Sequence, residues 1–230
     1  VGWKIPVSQG GFYVCPTYHP SYLLREEDKV LDRLFAAHLE QAFSIVSRPP
    51  PLPDFQKEIE VTYDDEHVYR CLRDIDREGG WAAVDIETNC LKPEYPKARI
   101  VSCAVSSVHR TISFPWVGRA IEGISKFLRS PRTRKIAFNL KMEDRWFRYF
   151  LKHEVANWAW DPMLAAHCID NRPDICGLKF QAFVNLGVST YNANVDPYLK
   201  SPKGSHYNRI EEIELGTLLL YGGTDTYCTQ

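Results

Sequence analysis

The chain has 230 residues, 44% hydrophobic and 25% charged, which allows a core of ordinary size, and no run approaches the roughly 18 apolar residues of a membrane span. A formal net charge of −1 and a pI near 6.7 set aside a strongly basic nucleic-acid binder, although a carboxylate-built site that holds phosphate through cations lowers the pI by itself. The seven cysteines, at 15, 71, 90, 103, 168, 176 and 228, form no C-x-x-C pair and no cysteine–histidine pattern at zinc spacing, so reduced thiols in a cytosolic setting are expected, with neither a disulfide framework nor a structural zinc site.

In chain order, residues 26–43 place Val30, Leu31, Leu34, Phe35, Leu39 and Phe43 at helical spacing and predict one amphipathic helix. The run Arg48-Pro49-Pro50-Pro51-Leu52-Pro53-Asp54 predicts an extended, semi-rigid connector, because proline fixes φ and lacks the amide donor. It separates a front piece (1–48) from a main domain (58–230), with the linker spanning 49–57. Residues 64–77 predict a helix with Val68, Cys71, Leu72 and Ile75 on one face, ended by Gly79-Gly80. Strands are predicted over 81–87, 99–107 and 110–116, the first of them central. A helix over 121–128, a strand over 134–138 and a helix over 139–151 follow, then helices over 162–169, 175–186 and 208–227, with a polar loop over 189–205. This alternation predicts an α/β fold with a mixed sheet flanked by helices and a short N-terminal appendage.

Three short constellations carry candidate chemistry. Asp85 and Glu87 lie two apart on a predicted strand, so both carboxylates leave the same face; a cation between them would relieve their repulsion, or they simply meet water at a strand end. Hard oxygen ligands of this kind suit Mg²⁺ or Mn²⁺. Asn139 and Glu143 are four apart at a strand-to-helix passage, with Asp144 next; Asn139 as an N-cap before a solvated acidic helix face is the plainer reading. Tyr221 and Asp225 are one helical turn apart around Gly222-Gly223, an arrangement that could orient a water or simply pair a buried tyrosine with an acid. Taken together, in this order and each at an element end, they offer the four acids of a two-metal phosphodiester site.

The set resembles the DEDD exonuclease superfamily, and more closely the proofreading domain of A-family DNA polymerases, over residues 58–230. Asp85-Ile86-Glu87-Thr88-Asn89-Cys90-Leu91 is similar to the first exonuclease motif, Asn139-Leu140-Lys141-Met142-Glu143 to the second and residues 221–225 to the third. Trp160-Asp161-Pro162-Met163-Leu164-Ala165-Ala166 is similar to the segment between the last two, and a tyrosine four before the last aspartate resembles the DEDDy branch. The resemblance implies an RNase H-like fold and two divalent cations held by Asp85, Glu87, Asp225 and the second-motif acid. It also implies that Tyr221 orients the attacking water and that Thr88, Leu91 and Asn139 hold the terminal nucleotide, with Leu91 wedged against the last base. The substrate implied is the 3′ end of single-stranded DNA, in the service of a polymerase domain C-terminal to this segment. One departure is plain: the family's second motif has Asp four residues after Asn, where this chain has Glu143, with Asp144 one step on as the substitute.

Pro16-Thr17-Tyr18-His19-Pro20-Ser21-Tyr22-Leu23-Leu24-Arg25 resembles the last motif of uracil-DNA glycosylases. The water-activating motif of that family is missing, so no glycosylase activity is expected, and a His-Pro turn before a helix is the simpler reading. The basic run Arg129, Arg132, Arg134 and Lys135 is expected to be a solvated loop or a phosphate contact.

Overall fold

The computed structural model describes residues 1–230. Its elements are β1 (Ile5–Val7), β2 (Phe12–Val14), α1 (Pro20–Glu26), α2 (Lys29–Phe43), α3 (Phe55–Glu58), β3 (Ile59–Val61), α4 (Asp65–Glu78), β4 (Gly80–Thr88), β5 (Ile100–Ser107) and β6 (Thr111–Pro115). There follow α5 (Gly118–Arg129), β7 (Thr133–Ile136), α6 (Leu140–Leu151), β8 (Trp158–Trp160), α7 (Pro162–Ile169), α8 (Leu178–Leu186), α9 (Asp196–Leu199), a 3-10 turn (Ile210–Glu212) and α10 (Leu215–Thr229). No helix is long and apolar enough to cross a membrane.

The chain divides into two compact units: Val1–Pro53 with Lys179–Ser189, and Asp54–Leu178 with Thr190–Gln230. The division falls at the proline run, but residues 55–57 of the predicted linker are helical, as part of α3, and belong to the second unit.

In the first unit β1 and β2 pair as an antiparallel hairpin. The helix predicted over 26–43 is α2, which starts three residues later, at Lys29, behind the separate short helix α1. Glu27 adopts the left-handed conformation (φ 48°) that ends α1, and the Asp28 carboxylate caps α2 by accepting from Val30 N at 2.8 Å. The apolar stripe of α2 is not buried: Val30 is 61% exposed and Phe43 84%. His19 is exposed and caps α1, its Nδ1 accepting from Ser21 N at 3.2 Å, as a His-Pro turn before a helix would have it. Segment 179–189 supplies Phe180, edge-on to Trp3 with ring centroids 5.4 Å apart, and the buried Ala182, Val184 and Val188. Gly187 sits at φ 74°, and a Cβ there would fall 2.4 Å from the Pro6 carbonyl oxygen, so both its conformation and its neighbour demand glycine.

The second unit is built on a six-stranded mixed sheet in the order β3-β6-β5-β4-β7-β8. β4 runs antiparallel to β5 and parallel to β7, so the strand predicted as central is central. Alternation along β4 explains the layering. Ala82, Val84 and Ile86 enter one core with Leu72 and Ile75 of α4, Ile124 and Phe127 of α5, and Trp146 and Phe147 of α6. The opposite face is small and polar, with Ala83, Ala104, Ser106 and Ser113, and α10 lies across it. Small side chains let the helix come close. A Cβ on Gly223 would stand 2.5 Å from Ile59 Cγ2 and 3.4 Å from Ser113 Cβ, so glycine is needed there for approach rather than for a bend. Thr224, Thr226 and Thr229, all buried, turn their hydroxyls onto carbonyls one turn back at 2.7–2.8 Å, which makes a polar helix tolerable in the interior.

α10 begins at Leu215 rather than at the predicted 208, because Glu214 caps it by accepting from Gly216 N at 2.8 Å and Thr217 N at 2.6 Å. Lys135 departs from its expected surface role. It is wholly buried in β7, donates to the Ser130 carbonyl and lies over the Phe127 ring at 5.2 Å, so it is not a phosphate contact.

Candidate active site

Asp85, Glu87 and Thr88 stand at the end of β4, where the pairing with β5 shifts register between Glu87 and Thr88. Because α10 crosses this end, Gly222 lies against the two acids: a Cβ there would be 3.6 Å from Glu87 Cγ and 4.0 Å from Asp85 Oδ2. One turn apart on the same helix, Tyr221 and Asp225 are buried at the same place. Carboxylate oxygens of Asp85, Glu87 and Asp225 all lie within 4.8 Å of one another. At that separation, with an effective dielectric of about 20, each pair of full charges repels by about 3 kcal/mol, so the cluster calls for a compensating cation.

Glu143 comes from the first turn of α6. It is 3% exposed, and its Oε2 is buried with no hydrogen-bond partner. Burial, then the charge of Asp85, and then that of Asp161 push its carboxyl well above the usual range. Asp144 points elsewhere: its Oδ2 accepts from Arg148 Nε at 2.6 Å and its Oδ1 from Trp158 Nε1 at 2.9 Å. Of the two acids in the second motif, Glu143 is therefore the buried one and feels the charge of Asp85, whereas Asp144, the substitute, is engaged with Arg148 and Trp158. The 100° rotation between successive helical residues is the reason.

Tyr221 lies among the acids. Burial first, then Asp225, Glu87 and Asp85, push its phenol above the ordinary value, so it remains an O–H donor. Tyr191, which sequence patterns did not mark, donates to Asp225 Oδ1 from the polar loop, and burial and Asp225 push its phenol up in the same way. The ring of Tyr191 lies between Phe55 (6.5 Å) and Tyr221 (6.1 Å). No periodicity in residues 189–205 could have singled it out.

Asp161 is a second residue whose reach was hidden. As the N-cap of α7 it accepts from Met163 N at 2.9 Å, a role its Asp-Pro sequence advertises. It also accepts from Asn139 N at 3.1 Å and Leu140 N at 3.0 Å, so one carboxylate fixes the starts of both α6 and α7. Asn139 occupies the capping position of α6 in the left-handed conformation (φ 67°, ψ 49°), and its side chain makes no cap. Its side-chain amide is exposed.

Thr88 turns its hydroxyl to the Cys90 carbonyl at 2.9 Å, and Asn208 Nδ2 donates to the Thr88 carbonyl at 2.9 Å, fixing the chain just beyond β4. Leu91 follows with 82% of its surface exposed. The donor set of Asp85, Glu87 and Asp225, all hard oxygen, fits divalent cations of the Mg²⁺ and Mn²⁺ type, and the partnerless buried Oε2 of Glu143 is a further oxygen of the same kind.

Compared with protein-family models and with curated proteins, the chain matches none. Among solved structures it is similar in fold to Trypanosoma brucei RNase D in complex with GMP, at 13% identity and a TM-score of 0.60, covering 76% of this chain and 56% of that one. It is also similar to the EXO domain of Aedes aegypti Nibbler (13% identity, TM-score 0.54, 79% and 87% covered). A third is Brucella melitensis NrnC bound to pGG (16% identity, TM-score 0.53, 74% and 76% covered). The chain thus spans little more than half the length of that RNase D. The mixed sheet and its flanking helices have the RNase H-like exonuclease fold, in agreement with the α/β expectation.

Proposed function

We propose that this chain is a 3′→5′ exonuclease that hydrolyses single-stranded DNA from its 3′ end to nucleoside monophosphates, as the proofreading module of a larger DNA polymerase. The observation that carries the reading is the convergence of Asp85, Glu87 and Asp225 within 4.8 Å on the RNase H-like sheet. Asp85, Glu87, Asp225 and Glu143 would hold two divalent cations, Mg²⁺ or Mn²⁺. When bound, such ions neutralise charge developing on the attacking and leaving oxygens.

The chain's own residues do the rest. Tyr221, kept protonated by burial and its acidic neighbours, donates a hydrogen bond that orients the attacking water. Tyr191 holds Asp225 in one rotamer. The exposed Leu91 wedges against the terminal base, and Thr88 and Asn139 help to hold the terminal nucleotide. Glu143, one methylene longer than the aspartate of the resembled motif, fills the second-motif position.

DNA rests on the Asn-Leu-Lys of the second motif and on the glycosylase-like front piece. A second reading, an RNase D-like RNA exonuclease, is favoured by the company the fold keeps, since solved structures similar to it include RNase D with RNA U12 and NrnC with pGG. The test is release of mononucleotides from matched 3′-labelled DNA and RNA oligonucleotides with Mg²⁺ or Mn²⁺, beside an Asp85→Ala variant. Stepwise shortening of DNA that vanishes in the variant is expected. Preferential shortening of RNA would move the assignment to the second reading, and no shortening of either by folded protein would leave a scaffold in place of an enzyme.

A further inference from the structure

Away from the acidic cluster, β3 and α4 bring together a second set of metal-capable side chains. Glu60 of β3 and His67 and Cys71 of α4 place a carboxylate oxygen, an imidazole nitrogen and a sulfur within 4.8 Å of one another. His67 and Cys71 are four apart on one helical face, and Glu60 reaches them from the edge strand of the sheet.

The geometry separates two uses of such a trio. A nucleophilic triad needs the carboxylate on one imidazole nitrogen and the thiol on the other. Here both partners meet Nε2: Glu60 Oε1 is hydrogen-bonded to it, and Cys71 Sγ lies 3.4 Å from it but 4.0 Å from Nδ1. Three ligand atoms therefore converge on one point instead of forming a relay. A tetrahedral zinc holds sulfur and nitrogen ligands about 3.5 Å apart, close to the Sγ–Nε2 separation already present.

The surroundings agree. Cys71 is buried, whereas the side chains of Glu60 and His67 are 38% and 33% exposed, leaving a solvent-facing side for a fourth ligand. Arg110 already places a positive charge on the trio, with NH1 donating to Cys71 Sγ at 3.0 Å and Nε 3.7 Å from Glu60 Oε2. Those contacts leave Oε1 to its hydrogen bond with His67 Nε2, so a metal need only take the place of the proton that the two share, and the guanidinium can stay as an outer partner of both anionic ligands.

We propose that Glu60, His67 and Cys71 form a binding site for a zinc-class divalent cation, with water as the fourth ligand. Thiolate and imidazole select Zn²⁺ or Co²⁺ over Mg²⁺, which distinguishes this site from the all-oxygen cluster of Asp85, Glu87 and Asp225. The site is independent of the proposed nuclease reading. Its effect is mechanical: it ties the three-residue strand β3, which is paired only with β6, to α4. Ile59, next to the ligand Glu60, is the residue against which Gly223 of α10 packs, so the clamp bears on the helix that carries Tyr221 and Asp225.

The experiment is titration of metal-free protein with Co²⁺ under reducing conditions, followed by displacement with Zn²⁺. Expected is a thiolate-to-cobalt charge-transfer absorption that saturates at one equivalent, persists in Asp85→Ala and Cys176→Ser, and disappears in Cys71→Ser. The Cys176→Ser control matters because Cys176 Sγ lies 4.0 Å from His167 Nδ1. Zn²⁺ should raise the thermal midpoint of the wild type and of Asp85→Ala but not of Cys71→Ser. Should Cys71→Ser fail to fold, Glu60→Gln and His67→Asn, which alter half-exposed side chains, should each weaken Co²⁺ binding by about tenfold or more. Absence of the charge-transfer band, its survival in Cys71→Ser, its loss in Cys176→Ser, or unchanged affinity in both half-exposed variants would each overturn the assignment.

Discussion

Replacing Gly223 with alanine tests how closely α10 must lie on the sheet. The added Cβ would stand 2.5 Å from Ile59 Cγ2, 3.5 Å from Ile59 Cδ1 and 3.4 Å from Ser113 Cβ. Carbon atoms rest at about 3.5–4.0 Å, so the first contact is short by about 1 Å and the helix or β3 must yield. Alanine gains about 1 kcal/mol in helix propensity, whereas overpacking a filled interior costs about 1–3 kcal/mol; a contact short by about 1 Å belongs to the upper part of that range, about 2–3 kcal/mol, so a net loss of about 1–2 kcal/mol is expected by urea denaturation. Displacement of Asp225 by about 1 Å from Asp85 and Glu87 should lower the rate of nucleotide release by about a hundredfold. Ile59→Ala removes the opposing Cγ2. It should itself cost about 2–4 kcal/mol, yet Gly223→Ala added to it should cost nothing further, a coupling of at least about 1 kcal/mol. A Gly223→Ala protein with wild-type stability and rate, or strict additivity in the double variant, would refute the argument that close approach places the third motif.

The buried Lys135 ammonium has its pKa pulled down by desolvation to about 8 from 10.5. Between those values the unfolded chain binds more protons than the folded one, so stability should rise by about 3 kcal/mol as pH climbs from 8 to 10.5 and stay at its low plateau below 8. Lys135→Met should abolish that rise, and parallel stability–pH curves for the two proteins would contradict it. In the second motif, Glu143→Gln should remove nuclease activity while leaving a folded protein. Asp144→Ala should retain activity but lose about 1–2 kcal/mol through Trp158 and Arg148. Reversed effects in the oligonucleotide assay would exchange the two roles.

The long elements were legible because each supplied enough residues for a period to show. α4, β4 and α7 lie within one residue of the predicted spans, set by Asp64 as cap, by Ala82-Val84-Ile86 against Ala83-Asp85-Glu87, and by Asp161-Pro162. Three-residue strands cannot show alternation, and β3 and β8 were missed for that reason. The start of α2 fell at Lys29 instead of 26 because Glu27 ends α1 in the left-handed conformation, which at a glutamate leaves no mark on the pattern. At the site, residues sharing a strand or helix turn were readable as groups. Tyr191, the double reach of Asp161, and the meeting of Glu60 with His67 and Cys71 depend on which elements end up adjacent, and no local spacing encodes that.

The first compact unit is assembled from two stretches of chain, with residues 54–178 lying between them. A ribosome that has just produced Pro53 has therefore made an N-terminal piece still lacking Phe180, Ala182, Val184 and Gly187, and every strand of the second unit's sheet must emerge before that piece can close. Severing the chain at the proline run would accordingly release two incomplete products. Any exchange of the front piece between proteins would have to carry residues 179–189 with it, because the recombination boundary in space is not the boundary in sequence.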